Sequence, residues 1–554
     1  MADRRIHELA RALYQGRLDR REFLRAATAI GVSATAIDLF LRGAAIAQAQ
    51  TATPAATPVG TPGPVPPIVA QPCETCRWAG KSITIQTPDV PAAVPFDETR
   101  DEFEAATGAK LTVVVDRASR AFTKLIDDAT SGVNSYHGSL IAMSWLGALA
   151  EGGFVTPLDD FYANDTGEFP VFDIDAEAES LRRLRSYGGK RYVVPYDSDG
   201  QILFYRRDLL ADPTHRVAFR DAVGYDLPAP PQTWEQVRDI ATYFNGKDNT
   251  MGGTISGVAL PLGPDGRMAE HFASLSAPYV IGPANTFRYW FDPDDMSPLC
   301  ASQGHARAAN MLKELARLGP ATMTSWTLGD SWEYFVKGNA VFTYAWGGVT
   351  QLAIGQKQPT VGKIAAALPG TLAYVDPKTG QETKVDAPNL VGNTTGDSWA
   401  GVVMSSAPEP DLVYYLFALL ATEPKQRFLA ARVADGVNPG SVFQFPKPVG
   451  TGDIDDYLSQ GWNEQDARDY TTALSNNYAN KLQLPYLRIP GAERYWSALD
   501  NRLAEFLSDR VATAEAALQQ VADDWNGITD DLDRESQRLS YLTTLGLPLP
   551  SSGD

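Results

Sequence analysis

With 554 residues, the chain is long enough for two or three domains. It is 44% hydrophobic and 21% charged, an ordinary balance for a soluble globular protein. The net charge of −19 disfavours a nucleic-acid or anionic-membrane surface, but it says nothing of a ligand's charge, because a local pocket can differ from the total.

The N-terminus carries Asp19-Arg20-Arg21-Glu22-Phe23-Leu24-Arg25, which looks like the twin-arginine export motif. Ala26 to Ile37 is apolar but too short to span a bilayer, and Ala45-Ile46-Ala47 fits a small-residue cleavage site. Basic, then apolar, then small is the order of a signal, so residues 1–49 are expected to be a twin-arginine signal peptide with Arg20 and Arg21 as its recognition pair. Residues 50–77 are rich in Pro, Thr and Ala and read as an extended linker. No Cys follows the apolar region directly. The exported protein is therefore expected to be extracellular or periplasmic, either released or tethered by an uncleaved signal. Of the three cysteines, Cys73 and Cys76 suit a local disulfide in an oxidising compartment, and Cys300 suits a buried thiol.

The body opens with a strand at Ser82–Gln86. A helix at Phe96–Thr107 is closed by Gly108, and a strand follows at Lys110–Val115. The pattern continues with a helix at Phe122–Ala129, a strand at Ser139–Met143 and a helix from Trp145. Strands alternating with helices indicate parallel βαβ units. In such sheets ligands sit beyond the carboxyl ends of the strands, which singles out Asp89 and Trp145. Tyr187-Gly188-Gly189-Lys190 reads as a turn. Arg191–Pro195 and Gln201–Arg206 read as strand segments in different sheets, because Pro195 cannot donate to a ladder and Tyr196-Asp197-Ser198-Asp199-Gly200 is a polar break. A polar bridge between two domains is a natural cleft floor. Thr233 and Gln236 form a capping-box pattern ahead of a helix. Further on come a strand at Val258–Pro261 and helices at Gly266–Ser276, Gln303–Leu318 and Ser331–Lys337. Ala340–Trp346 is a strand ending at an indole, and strands are expected at Lys363–Leu368 and Ala400–Met404. A long buried helix is expected at Pro410–Ala431, and the chain closes with amphipathic helices at Tyr495–Leu507 and Val511–Trp525.

The segment Tyr187–Leu210, YGGKRYVVPYDSDGQILFYRRDLL, resembles the G-G-K-x-Y-x-(V/L)-P-x…Y-x-x-D-L-(L/F) segment of the family-1 extracellular solute-binding proteins of ABC importers, the maltose-binding-protein type. The element ending in Trp346-Gly347-Gly348 and the order Arg488-Ile489-Pro490, Tyr495-Trp496 and a last helix are similar to the same family, so the resemblance covers roughly Ser82 to Thr529. It implies an α/β fold of two lobes, periplasmic-binding-protein-like (type II), each a sheet flanked by helices with a hinge between. The first lobe would take residues 78–196 and 350–443, and the second 197–349 and 444–554. Two or three connections would join them, near Pro195–Gln201, Trp346–Lys363 and Arg432–Phe443. It also implies capture of a small-molecule solute, a sugar or polyol, for ABC permease and ATPase subunits, by a monomer with no cofactor and no metal. A sensor or lectin of the same fold that has lost transport is the alternative.

Catalytic signatures such as G-x-x-x-x-G-K-(S/T), H-E-x-x-H and G-x-S-x-G are absent from the sequence. Asp197 and Asp199, two apart on an extended segment, share a face, whereas a glycosidase pair must flank the scissile bond. The expected chemistry is therefore binding and not catalysis. Sugar recognition needs carboxylates for hydroxyls and aromatic faces for the apolar side of the ring. By the resemblance, Asp199, Trp346 and Trp496 occupy ligand-contacting positions, with Trp145, Tyr196, Asp89, Glu270 and Asp397 as further candidates. Each also has a packing alternative: Trp346 in the hinge, Trp496 in a helix core, Asp199 as a turn residue.

Overall fold

The computed structural model describes residues 65–67, 76–164, 167–264 and 266–550. The chain divides into two parts, Met1–Thr61 and Pro62–Asp554. The first lies outside the described residues, and with it the signal peptide, Arg20 and Arg21; most of the linker and Cys73 lie outside them too. Cys76 is disulfide-bonded, and Cys300 is free and buried.

Two sheets organise the second unit. In the first, the strand order is Lys110–Asp116, Ser82–Pro88, Gly138–Ile141, Ala400–Val403, Val193–Pro195. The first three run parallel, as the strand–helix alternation requires, and Ala400–Val403 is antiparallel to both of its neighbours. Pro195 therefore ends an edge strand, where its missing N–H costs no ladder bond. The second sheet has the order Ile364–Ala367, Ile202–Arg206, Ala340–Ala345, Ser256–Ala259. All six residues of Ala340–Ala345 are buried, the pattern of a strand covered on both faces. Residues 191–206 thus divide between two sheets, with the polar break as the connection.

One strand sits in a different sheet from the one expected. Ile364–Ala367 pairs with Ile202–Arg206 in the second sheet, not in the first lobe. Strand spelling alone gives a segment no partner; the short apolar run Ile-Ala-Ala-Ala fits any buried edge. The chain consequently regains the first sheet between Ala367 and Ala400, later than the Trp346–Lys363 connection expected. Between them lies a hairpin of Thr371–Val375 with Glu382–Asn389. The expected helix 410–431 is broken into Pro410–Ala421 and Glu423–Ala431, because Pro424 cannot continue a ladder and Thr422 is extended. The first half packs on Ala400–Val403 and Val193–Pro195, whereas the later helix Glu464–Ala479 packs on Ile364–Ala367, so the chain changes sheets again between them. The helix Ala492–Leu507 packs against Met268–Val280 and Ala514–Asp531. Among the described residues, no helix is long and apolar enough to cross a membrane.

Candidate functional site

The polar break is tied down from three directions. Asp199 accepts from the Ser398 N–H at 2.8 Å and from Asn438 Nδ2 at 2.9 Å. Asp197 accepts from the Asn438 N–H at 2.7 Å. The two carboxylates thus do share a face, and what they meet there is the third connection of the chain. Arg185, itself buried against Glu177, donates to the carbonyls of Asp197 at 2.6 Å and Ser398 at 2.7 Å. Tyr478 donates to the Ser198 carbonyl at 2.7 Å. Burial, with Asp397 nearby, pushes the Asp199 carboxyl up to about 6, and Asp197 is also pushed up by burial. Asp199 is thereby a hinge-bracing group whose oxygens already hold the chain.

Gly396 lets the second element reach this hinge. A Cβ at Gly396 would sit 2.4 Å from Trp346 Nε1 and 2.6 Å from Asp199 Cβ, and its φ of 139° is one that side-chain-bearing residues avoid. Trp346, just past the end of Ala340–Ala345, donates through Nε1 to the Thr395 carbonyl at 2.6 Å. His271 meets its ring edge-on at 4.9 Å, and the guanidinium of Arg267 lies over it at 5.2 Å.

Arg267 is the centre of the arrangement. It precedes the helix Met268–Val280 in a left-handed conformation, φ 57°. Its guanidinium grips Asp397 with two bonds, 2.7 and 2.9 Å, and reaches Glu270 at 2.7 Å through its terminal nitrogen and 2.6 Å through Nε. Asp397 belongs to the loop ahead of Ala400–Val403, where its carbonyl accepts from the Met143 N–H at 2.7 Å. One arginine therefore links a loop of the first sheet to the helix beside the second. Tyr486 donates to Glu270 at 2.7 Å. Trp496 packs against Tyr486 at 5.7 Å and Trp290 at 5.0 Å, with its own Nε1 unpartnered. One turn earlier on the same helix, Glu493 accepts from Ser144 Oγ at 3.2 Å, a second contact between the loop after Gly138–Ile141 and the C-terminal helices. Asp500, a further turn on, accepts from the Ala269 N–H at 2.6 Å.

The structure thus brings together Asp199, Trp346, Glu270, Asp397 and Trp496 of the residues singled out from sequence. Trp145 is buried against Phe122 and, at 6.1 Å, Trp399, on the first-lobe side. Tyr196 points away: its hydroxyl donates to the Ala92 carbonyl at 2.8 Å and its ring packs on Phe96, so it is first-lobe core. Asp89 is exposed and accepts from the Ala118 N–H at 2.6 Å, which makes it a holder of the helix Ala118–Ser131. The sequence reading passed over Arg267, Tyr486, Glu493 and Asp500. Arg267 had a signal, its spacing of three from Glu270 at a helix start; the others are brought in by long-range packing.

A cavity of about 520 Å³ lies elsewhere, lined by Arg182, Arg183, Arg191, Phe287, Arg488 and Thr544 among others. None of the ligand-binding candidates named from sequence lines it. Arg488, one of its buried charges, is spent on the carbonyls of Leu184 and Ser186, both at 2.6 Å, at the end of the helix Glu179–Leu184. That is a helix-end staple.

Residues 91–427 match the family described as bacterial extracellular solute-binding protein. The chain belongs to this family. As a solute-binding protein it is also similar to a probable ABC transporter-binding protein of Deinococcus radiodurans, 24% identical over 207 residues, a match spanning 36% of this chain and 44% of that relative's length. Two solved structures share the fold. One is an ABC transporter solute-binding protein from Agrobacterium radiobacter K84 in complex with ribitol: TM-score 0.61, 18% identity, 81% of this chain and 99% of that one. The other is maltose-bound T. maritima MalE3: TM-score 0.56, 17% identity, with the same two coverages. The two-lobed periplasmic-binding-protein fold expected from sequence is therefore the fold found.

The site's carboxylates give a pH prediction. Burial outweighs the pull of Arg267 and lifts Glu270 to about 8. A raised folded-state value means that the folded protein favours the protonated form. This contribution to stability is full below the ordinary 4.5 and is lost as pH rises through about 8. His271 and His305, held neutral by burial at about 4 and about 3, act in the opposite sense only below the usual imidazole range. Between pH 7 and 8.5 the decline due to Glu270 stands clear of them. Glu270→Gln should flatten the fall of Tm with pH in that window, where the single group contributes at most about 1.4 kcal/mol per pH unit. Parallel thermal melts of the two proteins check this, and identical slopes would refute it.

Proposed function

We propose that this chain captures a carbohydrate or polyol between its two lobes by hinge closure and delivers it to the permease of an ABC importer. One observation carries the reading. Groups from both sheets converge on a single arginine over an indole, with carboxylates, a phenol and further indoles around it. Carboxylates serve hydroxyls and aromatic faces serve the apolar side of a sugar ring, so this is the chemistry of polyhydroxylated ligands. The ribitol and maltose in the two similar structures and the transporter description of the Deinococcus relative support the same reading. No bond is made or broken in this role.

In this reading the first lobe takes residues 82–195 and 400–431 and the second takes 202–367 with the helices from 464 onward, a division supported by the membership of the two sheets. The three connections cross at Asp199, Ser398 and Asn438, which the Asp199 carboxylate ties together. Release of that tie permits hinge motion. The test is a thermal-shift screen of sugars and polyols, because a ligand that binds only the native state raises Tm. A hit should also lower the radius of gyration in solution scattering. A screen in which peptides or metal complexes stabilise the protein and no sugar or polyol does would overturn the reading.

Export belongs to the same proposal. Arg20 and Arg21 direct the folded protein through the twin-arginine route. Replacing both with Lys should leave precursor in the cytoplasm in a fractionation experiment; undiminished export of the double variant would exclude that route.

A further inference from the structure

We propose, building on the assignment of this cleft as the solute site, that the solute carries a protonated amine among its hydroxyls: an amino sugar or an amino polyol. The charge around the cleft is unbalanced. Asp397, Glu493 and Asp500 lie around one cation, Arg267, whose nitrogens are taken up by Asp397 and by Glu270, and burial keeps Glu270 in its protonated form below about pH 8. Asp500 is satisfied by a backbone N–H at the start of the helix Met268–Val280. Glu493 is left with one neutral partner, Ser144. Among the described residues no cation pairs with it.

Glu493 is also placed to be met from outside. Its side chain is open to solvent although the surrounding protein desolvates its carboxyl, and it stands at the edge of the groove between the helices Ala492–Leu507 and Ala514–Asp531. Three residues along the helix, Trp496 is only 7% exposed and its Nε1 has no partner. A buried donor left unmet is a standing cost to the fold that a bound acceptor would relieve. Its ring lies between Trp290 and Tyr486, and the Tyr486 hydroxyl sits on Glu270, so the indole belongs to the same cluster. An unmatched acceptor and an unmatched donor one turn apart fit an ammonium next to a hydroxyl or ring oxygen. The protein's own side chain shows the type of contact in place: Arg267 lies over the Trp346 ring between two carboxylates. A neutral sugar closing on Glu493 offers it hydroxyl donors alone, whereas an ammonium adds a full opposite charge to the hydrogen bond and offsets more of the desolvation.

The test is calorimetry on the full chain with matched probes, D-glucitol against D-glucamine and D-glucose against D-glucosamine, at mildly acid pH where the amines are protonated. The amine of a pair should bind about tenfold tighter or better, and its affinity should fall with added salt. Glu493→Gln should bring the amine down to the level of its neutral partner, and a melt of that variant checks the fold. Equal or weaker binding of the amines, or a preference that survives Glu493→Gln, overturns the inference. Binding of a neutral probe without amine preference overturns it while leaving the solute assignment standing. No binding by either member of either pair, with polyols and sugars also inert in the thermal-shift screen, overturns both.

Discussion

Arg267→Ala is expected to open the cleft. The side chain makes two hydrogen bonds to Asp397 from the first-sheet side, and one hydrogen bond and a close ion-pair contact to Glu270 beside it. Removing one partner of a fully buried ion pair costs roughly 3–5 kcal/mol, because the other charge is left desolvated. Arg267 is 32% exposed and Asp397 22%, so water screens part of this, and about 1–3 kcal/mol is the reasonable loss to the closed form. That corresponds to a weakening of solute binding by about one to two orders of magnitude. Arg267→Lys keeps the charge but cannot present the two-pronged fork, so it should recover only part of the loss. Calorimetry with a screened solute measures the affinity, and scattering with saturating solute measures closure. If Arg267→Ala binds and compacts like the parent, the bridge is an ornament of the closed form and the site lies elsewhere.

This arginine also marks where sequence reading stops. The polar break at residues 196–200 was legible because Pro195 and the run Asp-Ser-Asp-Gly forbid a continuous strand, and the structure places its flanks in separate sheets. Trp346 was legible because it directly follows a short strand rich in apolar and aromatic residues, which is buried along its whole length. The partners of these residues were not, because pairing is decided by contacts hundreds of residues apart. Asp199 is joined to Ser398 and Asn438, Glu270 to Tyr486, and Ser144 to Glu493. The strand Ile364–Ala367 shows the same limit in the fold, since its composition identifies a buried strand without saying which sheet takes it. Tyr196 illustrates the reverse: beside the polar break, it turns into the first-lobe core because Phe96 and the Ala92 carbonyl await it there.

Trp346 carries the other large expectation. Its ring is 5% exposed and touches both chemistries of the site, the hinge through Thr395 and the cleft through Arg267 and His271. Truncating a buried Trp to Ala costs about 3–5 kcal/mol from lost burial and the cavity left behind. Trp346→Ala should therefore lower Tm markedly, and loosening of Arg267 should weaken solute binding beyond what partial unfolding explains. Trp346→Phe separates the two roles. It keeps an aromatic face under Arg267 but removes the donor to the Thr395 carbonyl, a loss of about 1–3 kcal/mol if that carbonyl stays dry. The Phe variant should melt earlier than the parent yet bind solute closer to the parent than the Ala variant does, measured well below either Tm. Equal affinities for parent, Phe and Ala proteins, with only Tm changed, would reduce Trp346 to hinge packing and remove it from the ligand's surroundings.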